Sequence, residues 1–148
     1  MDLPPGLTLS VEDKPSEADI DVLPEGLEVF NEQHWPGHQP WETLAVFLRE
    51  ADGRIVGGLH CETYAGWMFL RYFWLEEPLR RLGLGAGIIA AAEQRGRERG
   101  CHSAYVDTFS FQAPGFYERQ GYTEFARLPY PPKGDRIWLR KPLTETAP

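Results

Sequence analysis

Three alternate glycines, Gly83, Gly85 and Gly87, stand directly behind Arg80 and Arg81 and ahead of the alanine-rich run 88–93. The apolar run Phe69 to Leu75, with Arg71 inside it, comes just before them. This order reads as a strand, a short basic turn, a glycine-rich loop and a helix. Glycine lets the backbone approach a ligand closely and take up positive φ. A helix start presents unpaired N–H groups at its positive dipole end. Together they form an anion site, most often for phosphate.

Spacing narrows the anion. A dinucleotide loop needs glycine at its first, third and sixth positions. Counted from Gly83 the sixth position is Ile88, and from Gly85 it is Ala90. A P-loop needs Gly-Lys-Ser/Thr, which is absent here. Arg-x-x-Gly-x-Gly across Arg80, Gly83 and Gly85 does fit, and it resembles the pyrophosphate loop of the GNAT family of N-acetyltransferases, which use acetyl-CoA. A glycine turn that merely starts a helix remains the plain alternative for this loop taken alone.

The 148 residues suit one domain, 1–148, and the 42% hydrophobic fraction is that of a globular protein. No apolar run is long enough to span a membrane, and the N-terminus has no secretory pattern, so no membrane partner is expected. Two cysteines, Cys61 and Cys101, make no disulfide framework, which points to a reducing cytoplasmic setting. A net charge of -7 argues against nucleic acid. The first 36 residues are strongly acidic and residues 127–141 are basic. The acidic stretch is either a solvated helix face or a wall that attracts a cationic amine.

Along the chain, Leu7 to Val11 alternates with period two and predicts a first strand. Ser16 is placed to cap a helix whose apolar face is Ile20, Leu23, Leu27 and Phe30, with a kink or break expected at Pro24. An aromatic, proline-rich loop holds Trp35, His38 and Trp41, which either line an acceptor pocket or cover the core. Thr43–Arg49, Ile55–Tyr64 and Trp67–Leu75 predict three antiparallel strands joined by tight turns, the third buried on both faces. A helix follows from about Ala86 to Arg99. Then come a strand at Ser103–Asp107, a short helix at Ala113–Gln120, and closing strands at Tyr122–Leu128 and Arg136–Arg140.

A second motif adds to the first. Ser110-Phe111-Gln112-Ala113-Pro114-Gly115-Phe116-Tyr117-Glu118-Arg119-Gln120-Gly121-Tyr122 is similar to the GNAT segment Asn-x-x-Ala-x-x-Phe-Tyr-x-x-x-Gly-Phe. The resemblance, from Leu7 to about Lys141, implies an α/β (α+β) fold. Its sheet is mixed and mostly antiparallel, with about seven strands, flanking helices and a splay at the acetyl-CoA site. It also implies the site. Phe73, Trp74 and Leu75 would pair with the pantetheine arm. Arg81, Leu82, Gly83, Leu84, Gly85 and Ala86 would cradle the pyrophosphate, with Arg80 adding charge. Ser110 and Ala113 would touch the pantetheine from the other side, with Phe116 and Tyr117 near the sulfur.

The implied reaction is direct attack of a primary amine, with Tyr117 as general acid and no metal. Transfer from a phenol of pKa ~10 to a thiolate of pKa ~8.5 is uphill by about 2 kcal/mol. The base candidates are Asp107, Glu62, His60 and Glu76, or a water chain; Asp107 reads also as a structural carboxylate capping the Thr108-Phe109-Ser110 turn. Ser110 replaces the usual asparagine, and Arg71 stands where the family often has an acid. The expected partners are acetyl-CoA, a small-molecule amine and a second copy in a homodimer. A non-catalytic acetyl-CoA sensor, another acyl donor and a non-amine acceptor remain open.

Overall fold

A computed structural model describes residues 2–148. The chain forms two compact units, one ending at His38 and the other running Gln39–Pro148. Among the described residues there are three α-helices and six strands.

The first unit carries helix α1, Glu17–His34. Ser16 caps it as expected, its Oγ accepting from the Asp19 N–H at 3.1 Å. Acidic Glu17 and Asp19 suit the positive end of the dipole. The helix continues through Pro24, so the expected break does not occur. Pro24 removes one backbone donor, and the helix runs on past it to His34. The face of Ile20, Leu23, Leu27 and Phe30, expected to be buried, is exposed. Residues 7–11 form no strand, and Leu7, Leu9 and Val11 are exposed. Alternation alone provides no partner strand to bond with.

The second unit holds the sheet. Its strands are β1 (Glu42–Arg49), β2 (Ile55–Tyr64), β3 (Trp67–Leu75), β4 (Ser103–Phe109), β5 (Thr123–Pro129) and β6 (Asp135–Pro142). The spatial order is β1-β2-β3-β4-β6-β5, six strands where about seven were expected. Every pairing is antiparallel except β3 with β4. Helix α2, Leu84–Glu98, is the crossover between those two parallel strands. The short α3, Pro114–Arg119, follows β4.

The core lies between the sheet and α2. Ile88, Ile89 and Ala92 of the helix cluster with Leu59, Cys61, Met68, Leu70, Ala104, Val106 and Leu139 of the strands. β3 is central, as expected, but buried on one face only: Met68 and Leu70 are covered while Tyr72 and Trp74 stand open. Within this unit the core-forming helix covers one side of the sheet, so the aromatic residues of the other side have no layer over them.

One buried carboxylate ties the helix to the sheet. Glu93 on α2 is 4% exposed. It accepts from Lys141 Nζ at 2.7 and 2.8 Å and from the Tyr122 hydroxyl at 3.1 Å. Removing one partner of such a group leaves the other charged and unpaired. Glu93→Ala is therefore expected to lose about 3 kcal/mol or more in urea unfolding. A loss below about 0.5 kcal/mol, the usual range for a surface change, would show the network to be incidental.

Candidate active site at the parting of two parallel strands

The strands β3 and β4 pair from Trp67↔Ser103 to Leu70↔Val106 and no further, although β3 runs on to Leu75 and β4 to Phe109. The cause is visible on the other side of β3. There His60 pairs with Tyr72 and Cys61 with Leu70, so Arg71 is an extra residue in the strand. Such a bulge bends its strand and sharpens the local twist. The bend falls at the residue where pairing with β4 stops. Beyond it, Phe73, Trp74 and Leu75 remain paired to Leu59, Gly58 and Gly57 of β2. Toward β4 they have no strand partner, which makes an internal edge open to an extended ligand.

The glycine loop closes the far end of this gap. A single 3-10 turn, Glu77–Leu79, leads from β3 into it. Arg81 has φ 65° and Gly83 φ 80°, and Gly83 caps α2 with no side-chain hydrogen bond. The first N–H groups of α2 thus keep free donors beside two arginines, with no acid in the first turn. The helix starts at Leu84, two residues earlier than expected, so Leu84, Gly85 and Ala86 form its first turn. Leu82 is exposed on the loop.

Gly85 is needed for close packing. A Cβ there would lie 3.1 Å from two ring atoms of Phe116 and 3.2 Å from Phe73. Phe73 and Phe116 stack at 5.4 Å with planes 5° apart, so β3, α2 and α3 meet at this glycine. Arg80, expected beside the pyrophosphate, sends its Nε 2.9 Å to the Leu75 carbonyl. That bond fixes the loop to the end of β3 and leaves the two terminal nitrogens of the guanidinium for an anion.

Tyr117 is 7% exposed on α3 and joins the core cluster. Burial pushes its phenol up to about 12, with the Asp107 carboxylate and Cys61 adding smaller effects. The two residues expected to act in catalysis therefore lie within electrostatic reach of one another. Asp107, on β4 just past the last β3–β4 pair, accepts from Arg136 Nε and Nη2 at 2.7 Å, both on Oδ2. Its Oδ1 makes no side-chain hydrogen bond.

The other base candidates are also engaged. Glu62 accepts twice from Arg71 Nη1, at 2.8 and 2.9 Å. Glu76 is paired with Arg54. His60 Nε2 lies 2.9 Å from Thr43 Oγ1. Ser110 is tied to the β5–β6 turn: its Oγ accepts from the Asp135 N–H at 3.0 Å and its N–H donates to the Asp135 carbonyl at 2.8 Å. Ala113 sits at the N-cap of α3.

Sequence reasoning missed three features: the Arg71 bulge, the Gly85–Phe73–Phe116 contact and the Arg80–Leu75 bond. One signal was present, an arginine interrupting an otherwise apolar strand.

The sequence profile of the Acetyltransferase (GNAT) family matches residues 12–122. The chain belongs to the GNAT family. It is an enzyme of that family, an acetyl-CoA-dependent N-acetyltransferase. It is 41% identical over 96 residues to a blasticidin-S acetyltransferase of Streptomyces morookaense, a match spanning 64% of this chain and 71% of that one. It is 34% identical over 106 residues to an acetyltransferase of Agrobacterium fabrum, spanning 71% and 77%. The crystal structure of a candidate acetyltransferase from Agrobacterium tumefaciens superposes with a TM-score of 0.85 at 27% identity, covering 92% of this chain and 99% of that one. The GNAT fold is thus the one expected, with one strand fewer.

Among the described residues no group of three or more His, Cys, Asp or Glu is arranged to hold a metal. Among the described residues no helix is long and apolar enough to cross a membrane. Cys61 and Cys101 are buried free thiols, and burial pushes Cys61 up to about 12.

The two loop glycines respond differently to side chains. Gly85→Val is expected to cost about 1–3 kcal/mol of stability through overpacking. Gly87 has open space where a Cβ would go, and Gly87→Ala is expected to be neutral or to gain up to about 1 kcal/mol. Urea unfolding of both variants measures this, and equal effects would contradict the packing described.

Proposed function

We propose that the enzyme moves the acetyl group of acetyl-CoA to a primary amine of a small molecule, with the pantetheine arm in the gap between β3 and β4. The observation that carries this reading is the end of β3–β4 pairing at Leu70↔Val106, with the glycine loop and the start of α2 following β3 in the chain. The residues present fit such a ligand. An extended arm meets the unpaired edge of 73–75, and a pyrophosphate meets the N–H groups of Arg81 to Ala86 beside Arg80. Acetyl-CoA supplies the thioester whose acetyl group passes to the amine.

The chain's own residues orient that thioester and manage protons. Phe73, Trp74 and Leu75 set its depth in the gap, and the loop sets its far end. Phe116 holds the Phe73 side of the gap, and Ser110 and Ala113 border the other. Tyr117, with its pKa near 12, stays protonated at any working pH. From that value, full transfer to a thiolate of pKa ~8.5 is uphill by roughly 5 kcal/mol. Tyr117 therefore acts first as a hydrogen-bond donor to the sulfur and completes its transfer only as the products separate. Asp107 Oδ1 receives the amine proton directly or through water. The relative that acetylates blasticidin S supports a small-molecule acceptor. A single-domain, homodimeric, cytoplasmic enzyme completes the reading.

Release of free CoA on mixing acetyl-CoA with a panel of amines tests the reaction. Tyr117→Phe is expected to lower kcat by about 10²–10⁴. A general acid must be protonated to act, so the Tyr117-dependent fall in rate lies near pH 12 and kcat shows no alkaline break from this residue below about pH 10. Unchanged turnover in Tyr117→Phe would remove it as the acid. Acetyl-CoA at about 100 times its Kd should stabilise the protein by about 2.7 kcal/mol, and no thermal shift would remove the acetyl-CoA site itself.

A further inference from the structure

Within the second unit, the face of the sheet opposite α2 carries a second constellation, at the same level along β3 as the parting from β4. Two carboxylate–guanidinium pairs stand there, Glu62 with Arg71 and Asp107 with Arg136. Tyr105 lies between them, stacked on Phe69 at 4.7 Å with planes 11° apart. Both carboxylates act on the Tyr105 phenol and help hold it in its neutral form, after burial as the larger cause. Arg71 lies 5.8 Å from the Phe69 ring centre and Arg136 5.2 Å from that of Trp138. The floor between the pairs is therefore flat and aromatic.

Neither pair uses up its groups. Arg71 gives Nη1 to Glu62 and also meets the Tyr72 hydroxyl, which still leaves part of the five N–H donors of a guanidinium. Arg136 spends Nε and Nη2 on one oxygen of Asp107 and also meets the Tyr130 hydroxyl, which still leaves part of its five N–H donors and Asp107 Oδ1 as acceptor. Each pair thus still offers N–H donors, and the Asp107 pair offers an acceptor oxygen as well. A partly exposed ion pair contributes little to stability, so two of them on an open aromatic floor are not explained by folding. The gap opens onto this face at Arg71 and Asp107, the first residue of each strand past the last shared pair. Tyr117 lies on the covered side.

We propose that this face is the acceptor site, and that Glu62, Arg71, Tyr105, Asp107 and Arg136 select a planar amine that also carries a carboxylate. The inference rests on the acetyltransferase reading above. The Asp107 carboxylate takes the ammonium through Oδ1, and Glu62 holds Arg71 in place. The unspent nitrogens of Arg71 and Arg136 take the carboxylate. The Phe69–Tyr105 stack takes the ring. An amine lacking the carboxylate leaves those donors without an acceptor and is disfavoured for that reason.

Matched probes test it: 4-(aminomethyl)benzoate against 4-(aminomethyl)benzamide, and tryptophan against tryptophanamide. CoA release is read for each, with the thermal shift by acetyl-CoA measured alongside. The acids are expected to exceed their amides in kcat/KM by at least about tenfold. In the Arg71→Gln/Arg136→Gln protein that ratio is expected to fall toward one, with the acetyl-CoA shift retained. A shift by acetyl-CoA with amides used as well as acids, or with no probe acetylated, overturns the acceptor assignment alone. No shift by acetyl-CoA overturns the acetyltransferase reading beneath it. The wild-type comparison decides the matter even if the double variant fails to fold.

Discussion

One extra residue in β3 governs the architecture of this site. Arg71 has no counterpart on β2, so the strand bends there and leaves β4 after four paired positions. A regular strand would keep its ladder to the end and close the sheet, leaving no edge for an extended ligand. The bulge also turns Arg71 and Tyr72 outward together, which delivers a charge to the face opposite α2 at the mouth of the gap. The opening and its electrostatics thus come from the same local irregularity.

Around that opening, each contact fixes one border. Gly85 lets α2 approach the Phe73–Phe116 stack. Arg80 bonds the Leu75 carbonyl and holds the loop at the end of β3. Glu93 bonds Lys141 of β6 and the Tyr122 hydroxyl, which ties α2 to the sheet. Tyr117 sits on the covered side, where burial preserves its proton. Asp107 sits on the other side, paired yet with one oxygen to spare.

Much of this was legible in the sequence because it is local. Tight turns at Gly53 and at Ala65–Gly66 placed the β1–β3 meander, and the bounds of β2 and β3 agree to the residue. The glycine loop and the Phe116–Tyr117 motif fixed the family. What was not legible depends on partners distant in sequence. The alternation at 7–11 looks like a strand, but a strand exists only where another bonds to it. The period of Ile20, Leu23, Leu27 and Phe30 marks a face of α1 without saying what covers it. The apolar run of β3 suggested burial on both sides, whereas aromatic residues there line an open face. The pair Glu62–Arg71 joins strands across a register shift, and Asp107–Arg136 joins strands far apart in sequence; spacing alone reveals neither.

The central claim is that acetyl-CoA lies along the unpaired edge of β3 with its pyrophosphate on the start of α2. Amide hydrogen exchange with and without acetyl-CoA reads those two backbone stretches directly. The account predicts slowed exchange at residues 73–75 and 81–86 on ligand addition, with β1 and β5 unchanged. Slowing elsewhere with residues 73–75 unaffected would contradict it.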